Sequence, residues 1–106
     1  MKLGIMQPYL FPWIGYFQLI RAVDELVIYD DVQWIQQGWI NRNRILVNGG
    51  PSFFTLPVAR DSFQQPINAR RFTPEFERSK RKVLRQIKVA YRRASQFEPT
   101  FALLKE

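Results

Sequence analysis

The 106-residue chain contains no cysteine and no histidine. The absence of cysteine excludes disulfide bonds and thiolate metal sites. The absence of histidine excludes a Ser-His-Asp triad, the usual zinc sites and the most common general base. We therefore predict no metal centre of these kinds, and the sequence specifies no cofactor. Carboxylate, amide, guanidinium and aromatic groups remain to carry whatever chemistry the chain contributes.

Long apolar runs are also lacking. No segment approaches the ~20 apolar residues that cross a bilayer. The apolar start of the chain meets Gln7-Pro8 before it reaches the length of a signal-peptide core. Hydrophobic residues make up 46% of the chain and charged residues 24%, which is typical of a packed globular protein. The sequence thus predicts one cytoplasmic domain without a membrane span.

The net charge of +7 is concentrated in one part of the chain. Charges up to Phe53 cancel, because four basic side chains face four acidic ones: Lys2, Arg21, Arg42 and Arg44 against Asp24, Glu25, Asp30 and Asp31. The excess lies in the second half and is densest between Arg70 and Arg93. Such a block binds phosphates, nucleic acid or an anionic membrane surface, or is simply a solvated helix face. Nucleic acid is the least favoured partner, because the aromatic residues crowd the other half.

The hydrophobic pattern of the first thirty residues predicts a Rossmann-like βαβ start. Residues 2–6 form a short apolar run, typical of a buried strand, that Pro8 interrupts. Residues 13–23 carry apolar side chains at helical spacing, and residues 25–29 form a second strand rich in β-formers. Strand, helix and strand in this order predict two parallel strands joined by a right-handed crossover.

The remainder of the chain predicts a β-hairpin and C-terminal helices. Residues 44–48 and 52–58 flank Asn48-Gly49-Gly50, a strong signal for a tight hairpin turn. Residues 73–93 open with Thr-Pro-Glu, typical of a helix start with a threonine cap. Residues 95–98 match a capping box and predict a further helix. Because the apolar side chains of that helix need a partner, we expect a truncated α/β domain whose C-terminal half is missing.

Two polar segments directly follow the two predicted parallel strands. Gln7 and Tyr9 follow the first strand, and Asp30 and Asp31 follow the second. Ligands of open α/β sheets bind at the carboxyl ends of the strands. We therefore predict Asp30 and Asp31 as catalytic groups, either as a general base or as ligands of magnesium, with Gln7 and Tyr9 binding substrate. The alternative is that the two carboxylates are solvated and support turns.

A polar and aromatic segment supplies further candidates for substrate binding. Asn41 and Asn43 can orient a polar ligand, and Arg42 can clamp a phosphate or carboxylate. The alternative is that the asparagines hold turns while Arg42 pairs with one of the two aspartates. Trp39 can stack on a sugar or base, although single aromatics are more often core residues. Gly15 either lets a ligand approach the helix start or allows close packing.

The predicted long helix carries a basic face next to its apolar stripe. We assign to this face the anion- or partner-binding residues Arg78, Arg81, Lys82, Arg85 and Lys88. It offers contact with anionic lipid or a lipid-linked substrate, and the alternative is again a solvated surface. A protein that used only this face would be a binding or scaffold module without chemistry.

Several long motifs together resemble the WbqC-like protein family. They are residues 4–20 (GIMQPYLFPWIGYFQLI), Tyr29-Asp30-Asp31-Val32-Gln33, residues 38–45 (GWINRNRI), Thr55-Leu56-Pro57-Val58 and Ala90-Tyr91. The resemblance spans nearly the whole chain, in order. It implies a bacterial protein of about twice this length, from gene sets for O-antigen or other surface-polysaccharide synthesis. A transferase acting on an activated sugar is the activity that this context implies, with a small-molecule substrate as the partner.

Overall fold

A computed structural model describes residues 1–62 and 64–106, and it has the mixed α/β architecture that the sequence predicts. In chain order the elements are β1 (Leu3–Met6), α1 (Ile14–Ala22), β2 (Glu25–Ile28), β3 (Arg42–Val47), β4 (Gly50–Thr55), a short 3-10 helix (Ile67–Ala69), α2 (Phe76–Tyr91) and α3 (Phe97–Lys105). Among these helices, none combines the length and apolar character of a bilayer span.

The first sheet confirms the predicted parallel pair. Strand β1 pairs with β2 in a register that runs from Leu3 opposite Glu25 to Met6 opposite Ile28. Burial of the first strand was the wrong part of the prediction, since Leu3 and Ile5 are 51% and 56% exposed. In the described part of the chain this sheet has only two strands, which leaves the face that carries these side chains open.

The second sheet is the predicted hairpin. Asn48 and Gly49 have φ angles of 51° and 79°, the two positive values that a type I′ turn requires. Strand β3 begins at Arg42, earlier than predicted, because Arg42 and Asn43 already pair with Thr55 and Phe54. Strand β4 ends at Thr55, shortly before Pro57, which has no N–H to continue a ladder.

The core lies between this hairpin and the C-terminal helices. Ile45, Phe54, Val83 and Ile87 form one buried cluster. Side chains of α3 pack against its edge, and the backbone N–H of Leu46 donates to the Tyr91 hydroxyl at 2.9 Å. Hairpin and helices therefore form one packed unit.

Both predicted helix caps were wrong, although the helices exist. Helix α2 has Glu75 and α3 has Gln96 at the N-cap position, and neither side chain makes a capping hydrogen bond. Thr73 and its neighbours form a turn instead, in which the Phe76 N–H donates to the Thr73 carbonyl at 3.0 Å. Packing of the apolar stripe therefore outweighs the cap preferences here.

Candidate functional site

The segment between β1 and α1, residues 7–13, is fixed to the hairpin by hydrogen bonds, and we call it the motif loop. The Leu10 N–H donates to the Trp39 carbonyl at 3.0 Å. The side-chain amide nitrogen of Asn43 donates to the carbonyls of Leu10 and Phe11, at 2.7 and 2.8 Å. Phe11 has a φ of 48°, a conformation that costs energy outside glycine. The Asn43 amide thus holds a strained loop in one shape.

Gln7 and Tyr9 are organised by Tyr16, the buried side chain of α1. The Tyr16 hydroxyl donates to the Gln7 carbonyl at 2.9 Å, and the Tyr9 ring meets the Tyr16 ring edge-on at 6.0 Å. Burial, followed by the nearby Tyr9, raises the pKa of Tyr16 above its usual 10.0. Tyr16 therefore keeps its proton at neutral pH and remains the donor in this bond.

The motif loop and the start of β3 enclose a surface cavity of about 380 Å³, which we call the tyrosine–tryptophan cavity. Its lining combines aromatic rings with one amide and one guanidinium group: Tyr9, Phe11, Pro12, Trp13, Trp39, Asn43 and Arg44. Flat apolar rings with a few polar groups at the rim suit a sugar, which offers an apolar ring face and a fringe of hydroxyls.

Gly15 shapes this cavity, because its lack of a side chain leaves room for the Trp13 indole. A β-carbon at Gly15 would come within 2.0 Å of the Trp13 indole ring. The missing side chain therefore lets the indole lie across the first turn of α1, where it lines the cavity. Of the two interpretations of Gly15, the geometry shows close packing against a neighbouring side chain.

Trp39 belongs to a cluster of two aromatic rings and two guanidinium groups. Its ring is stacked on Phe53 at 6.2 Å with an angle of 19° between the planes. The Arg42 guanidinium carbon lies 5.6 Å from the Trp39 ring centre and 5.0 Å from the Phe53 ring centre. Arg44, two residues along β3, lies 5.9 Å from Trp39. Cation–π contacts of this kind fix the orientation of the indole.

Arg42 also holds the turn that precedes β3. Its Nε donates to the Gly38 carbonyl at 3.0 Å and its Nη2 to the Gln37 carbonyl at 2.6 Å. In the described part of the chain these acceptors, rather than Asp30 or Asp31, are the hydrogen-bond partners of Arg42. Asn41 acts similarly, because its amide nitrogen donates to the Leu56 carbonyl at 2.9 Å. Asn41 and Arg42 both line a second cavity, which lies beside this turn.

Asp30 and Asp31 follow β2, and the two predicted strand-end segments do start side by side. The Tyr29 N–H donates to the Met6 carbonyl at 2.8 Å, which places Gln7 and Tyr29 at adjacent strand ends. The Asp30 carbonyl accepts a bond from the Asn68 N–H at 2.9 Å. Asp30 is half-buried and Asp31 exposed, and neither lines the tyrosine–tryptophan cavity. Across residues 1–62 and 64–106 no three acidic side chains gather as a metal-binding group.

The five predicted anion-binding side chains of α2 all face solvent. Arg78, Arg81, Lys82, Arg85 and Lys88 are exposed, whereas Val83 and Ile87 of the same helix are buried. The helix is thus amphipathic as predicted, with its basic face free for a partner.

Sequence reasoning missed several lining residues of the cavities. Trp13 and Phe11 were not predicted as site residues, although they lie within the proline-rich motif loop. Arg44 lies two residues from the predicted Arg42 on the same strand, yet the two arginines line different cavities, so this spacing does not identify Arg44. Arg60 and Arg70 line the second cavity only through long-range packing, and no local pattern marks them.

Comparison with known proteins gives two matches. A model of the WbqC-like protein family matches residues 7–106. An uncharacterized protein of Mycobacterium tuberculosis, Rv1507c, is 46% identical over 67 residues, which is 62% of this chain and 29% of that protein. The chain thus covers less than a third of the length of that relative. No solved structure matches.

Proposed function

We propose that this chain, which belongs to the WbqC-like protein family, forms the sugar-binding part of an enzyme of bacterial surface-polysaccharide (O-antigen) synthesis. The enzyme is cytoplasmic and transfers a group to or from an activated amino sugar. The observation that carries the proposal is the tyrosine–tryptophan cavity, in which Tyr9, Trp13 and Trp39 present aromatic surface beside polar Asn43 and Arg44.

Several of the candidate residues have distinct roles in this proposal. Tyr9 and Trp39 stack on the sugar ring, and Arg44 binds its hydroxyl or carboxylate groups. Asn43 acts by holding the motif loop, and its side-chain Oδ1 accepts a hydrogen bond from the backbone N–H of Arg44 at 2.8 Å. Asp30 or Asp31 serves as the general base. Because neither lines the cavity, the reacting group of the ligand extends from it towards the strand ends from which the motif loop departs.

Replacing Trp39 by Ala is expected to weaken the binding of UDP-N-acetylglucosamine, a nucleotide-activated amino sugar. Loss of the stacking surface should raise the dissociation constant by about 2- to 10-fold, measured by isothermal titration calorimetry. Tyr29→Ala is the matched control, since Tyr29 is an exposed aromatic outside this cavity. Equal affinity of the Trp39→Ala variant and the unmodified protein would contradict the proposal.

A second variant separates ligand binding from folding. Gly15→Ala forces the Trp13 indole out of its place, yet alanine favours a helix by about 1 kcal/mol over glycine. If the Gly15→Ala variant binds UDP-N-acetylglucosamine more weakly but unfolds at the same or a higher temperature, the result supports the cavity as the sugar site. Unchanged binding would remove Trp13 from the site.

A second candidate function rests on the exposed basic face of α2. A scaffold that docks on an anionic membrane through Arg78, Arg81, Lys82, Arg85 and Lys88 needs these side chains free, as they are. Binding to phosphatidylglycerol vesicles should then fall steeply between about 50 and 200 mM salt. The Arg81→Gln/Arg85→Gln double variant should bind the vesicles weakly even at low salt. Absence of vesicle binding at low salt would dismiss this function.

A further inference from the structure

A second cavity, of about 570 Å³, lies beside the turn that precedes β3, and we call it the arginine cavity. Three arginines from separate parts of the chain line it, Arg42, Arg60 and Arg70. The remaining lining is mostly polar and includes Gln36, Gln37, Asn41 and Thr55. Three arginines around one cavity repel each other unless an anion lies between them, so this lining favours an anionic ligand.

Arg70 is held in place but is not fully satisfied. Its guanidinium carbon lies 5.3 Å from the Trp34 ring centre, and its Nη2 donates to the Ser62 carbonyl at 2.8 Å. Its Nε is buried and has no hydrogen-bond partner among the described residues. A buried donor without an acceptor costs free energy, so a ligand oxygen that reached this atom through a small shift of the Arg70 side chain would recover that cost.

Arg42 is held in the same way, by an aromatic face and two backbone carbonyls. These bonds use Nε and Nη2, and in the described chain Nη1 has no acceptor. Both arginines are thus immobilised before a ligand arrives, which reduces the entropy lost on binding. Planar guanidinium groups fixed in this manner are suited to phosphate oxygens.

The charge of the arginine cavity is positive. Asp61 is the one acidic group of its lining, against Arg42, Arg60 and Arg70. One carboxylate oxygen of Asp61 already accepts the Ser62 N–H at 2.7 Å. The lining therefore favours a ligand with about two negative charges.

The two cavities are neighbours, because a side chain that lines one of them contacts a side chain that lines the other. Trp39 lines the tyrosine–tryptophan cavity, Arg42 lines the arginine cavity, and the two side chains lie 5.6 Å apart. A ligand with a sugar ring at one end and a charged group next to it can reach both sides of this pair.

We propose that the arginine cavity binds the diphosphate group of the activated sugar, with Arg42 and Arg70 as its main ligands. This assignment rests on the proposed function for the identity of the whole molecule. The diphosphate site itself stands on the arginine geometry and is testable alone with inorganic pyrophosphate.

The experiment compares pyrophosphate binding by calorimetry in three variants. Arg70→Gln should raise the dissociation constant about tenfold or more, as expected for loss of a hydrogen bond to a charged group. Arg70→Lys keeps the charge but loses the planar fork, and should show an intermediate affinity. Arg21→Gln removes the same charge from the exposed last turn of α1, outside both cavities, and should bind like the unmodified protein. Thermal unfolding checks that each variant is folded.

The outcomes distinguish this inference from the proposed function. Pyrophosphate affinity that is unchanged in Arg70→Gln, or that falls as much in Arg21→Gln as in Arg70→Gln, would overturn the diphosphate site. Pyrophosphate binding that depends on Arg70, with UDP-N-acetylglucosamine binding insensitive to Trp39→Ala, would retain the diphosphate site and dismiss the sugar site. Sugar binding that depends on Trp39, without any pyrophosphate binding, would retain the proposed function alone.

Discussion

Replacement of Asp30 by Asn is expected to lower transfer activity by about 10²- to 10⁴-fold, the usual contribution of a general base. Asparagine has nearly the same shape but cannot accept a proton. Asp30 is favoured over Asp31 because it is half-buried and its backbone is bonded to Asn68, whereas Asp31 is exposed. The surface-glycan composition of cells that carry only the variant measures the loss.

Two further variants give this experiment its controls. Asp31→Asn should retain most of the activity, because adjacent side chains on an extended chain point to opposite sides. Glu25→Gln removes an exposed carboxylate from β2, the strand that the two aspartates follow, and should change nothing. Unchanged glycan composition and ligand binding in both aspartate variants would show that neither residue is catalytic.

Replacement of Ile87 by Ala is expected to lower the free energy of unfolding by ~3 kcal/mol. Ile87 is 6% exposed and belongs to the buried cluster with Ile45, Phe54 and Val83. That cluster holds α2 against the hairpin, and small domains are stable by only about 5–15 kcal/mol. Urea denaturation followed by circular dichroism measures the change.

Val89 on the same helix is the matched control for Ile87. It is 75% exposed, so Val89→Ala removes apolar atoms that are already in contact with water. We expect a change within about 0.5 kcal/mol for this variant. A loss as large as that of Ile87→Ala would mean that this face of α2 is covered in solution.

Elements with a strong local signal could be predicted from the sequence. The parallel pair β1–β2 follows from two short apolar runs around a helical pattern, and the hairpin follows from Asn48-Gly49. Helix α2 follows from its amphipathic period. Each of these patterns is local, formed by residues close together in the chain, so it can be recognised in a single sequence.

Features that depend on distant parts of the chain could not be predicted. The Trp34 N–H donates to the Gln65 carbonyl, and the Ile67 N–H donates to the Val32 carbonyl. These bonds bring Arg70 next to Trp34, although neither segment has a strand or helix pattern. Arg42 was predicted as an anion clamp, but its bonds to the Gln37 and Gly38 carbonyls depend on a turn with no distinctive residues.

Asn43 has a consequence for how the molecule opens. It belongs to β3, yet its side chain bonds the carbonyls of Leu10 and Phe11, so fraying at this end of the hairpin also releases the motif loop. Local opening in proteins proceeds in cooperative units. The motif loop and the first rungs of the hairpin therefore form one such unit, although the two sheets share no strand. We therefore expect a ligand that stabilises the motif loop to slow hydrogen exchange of the first hairpin amides as well.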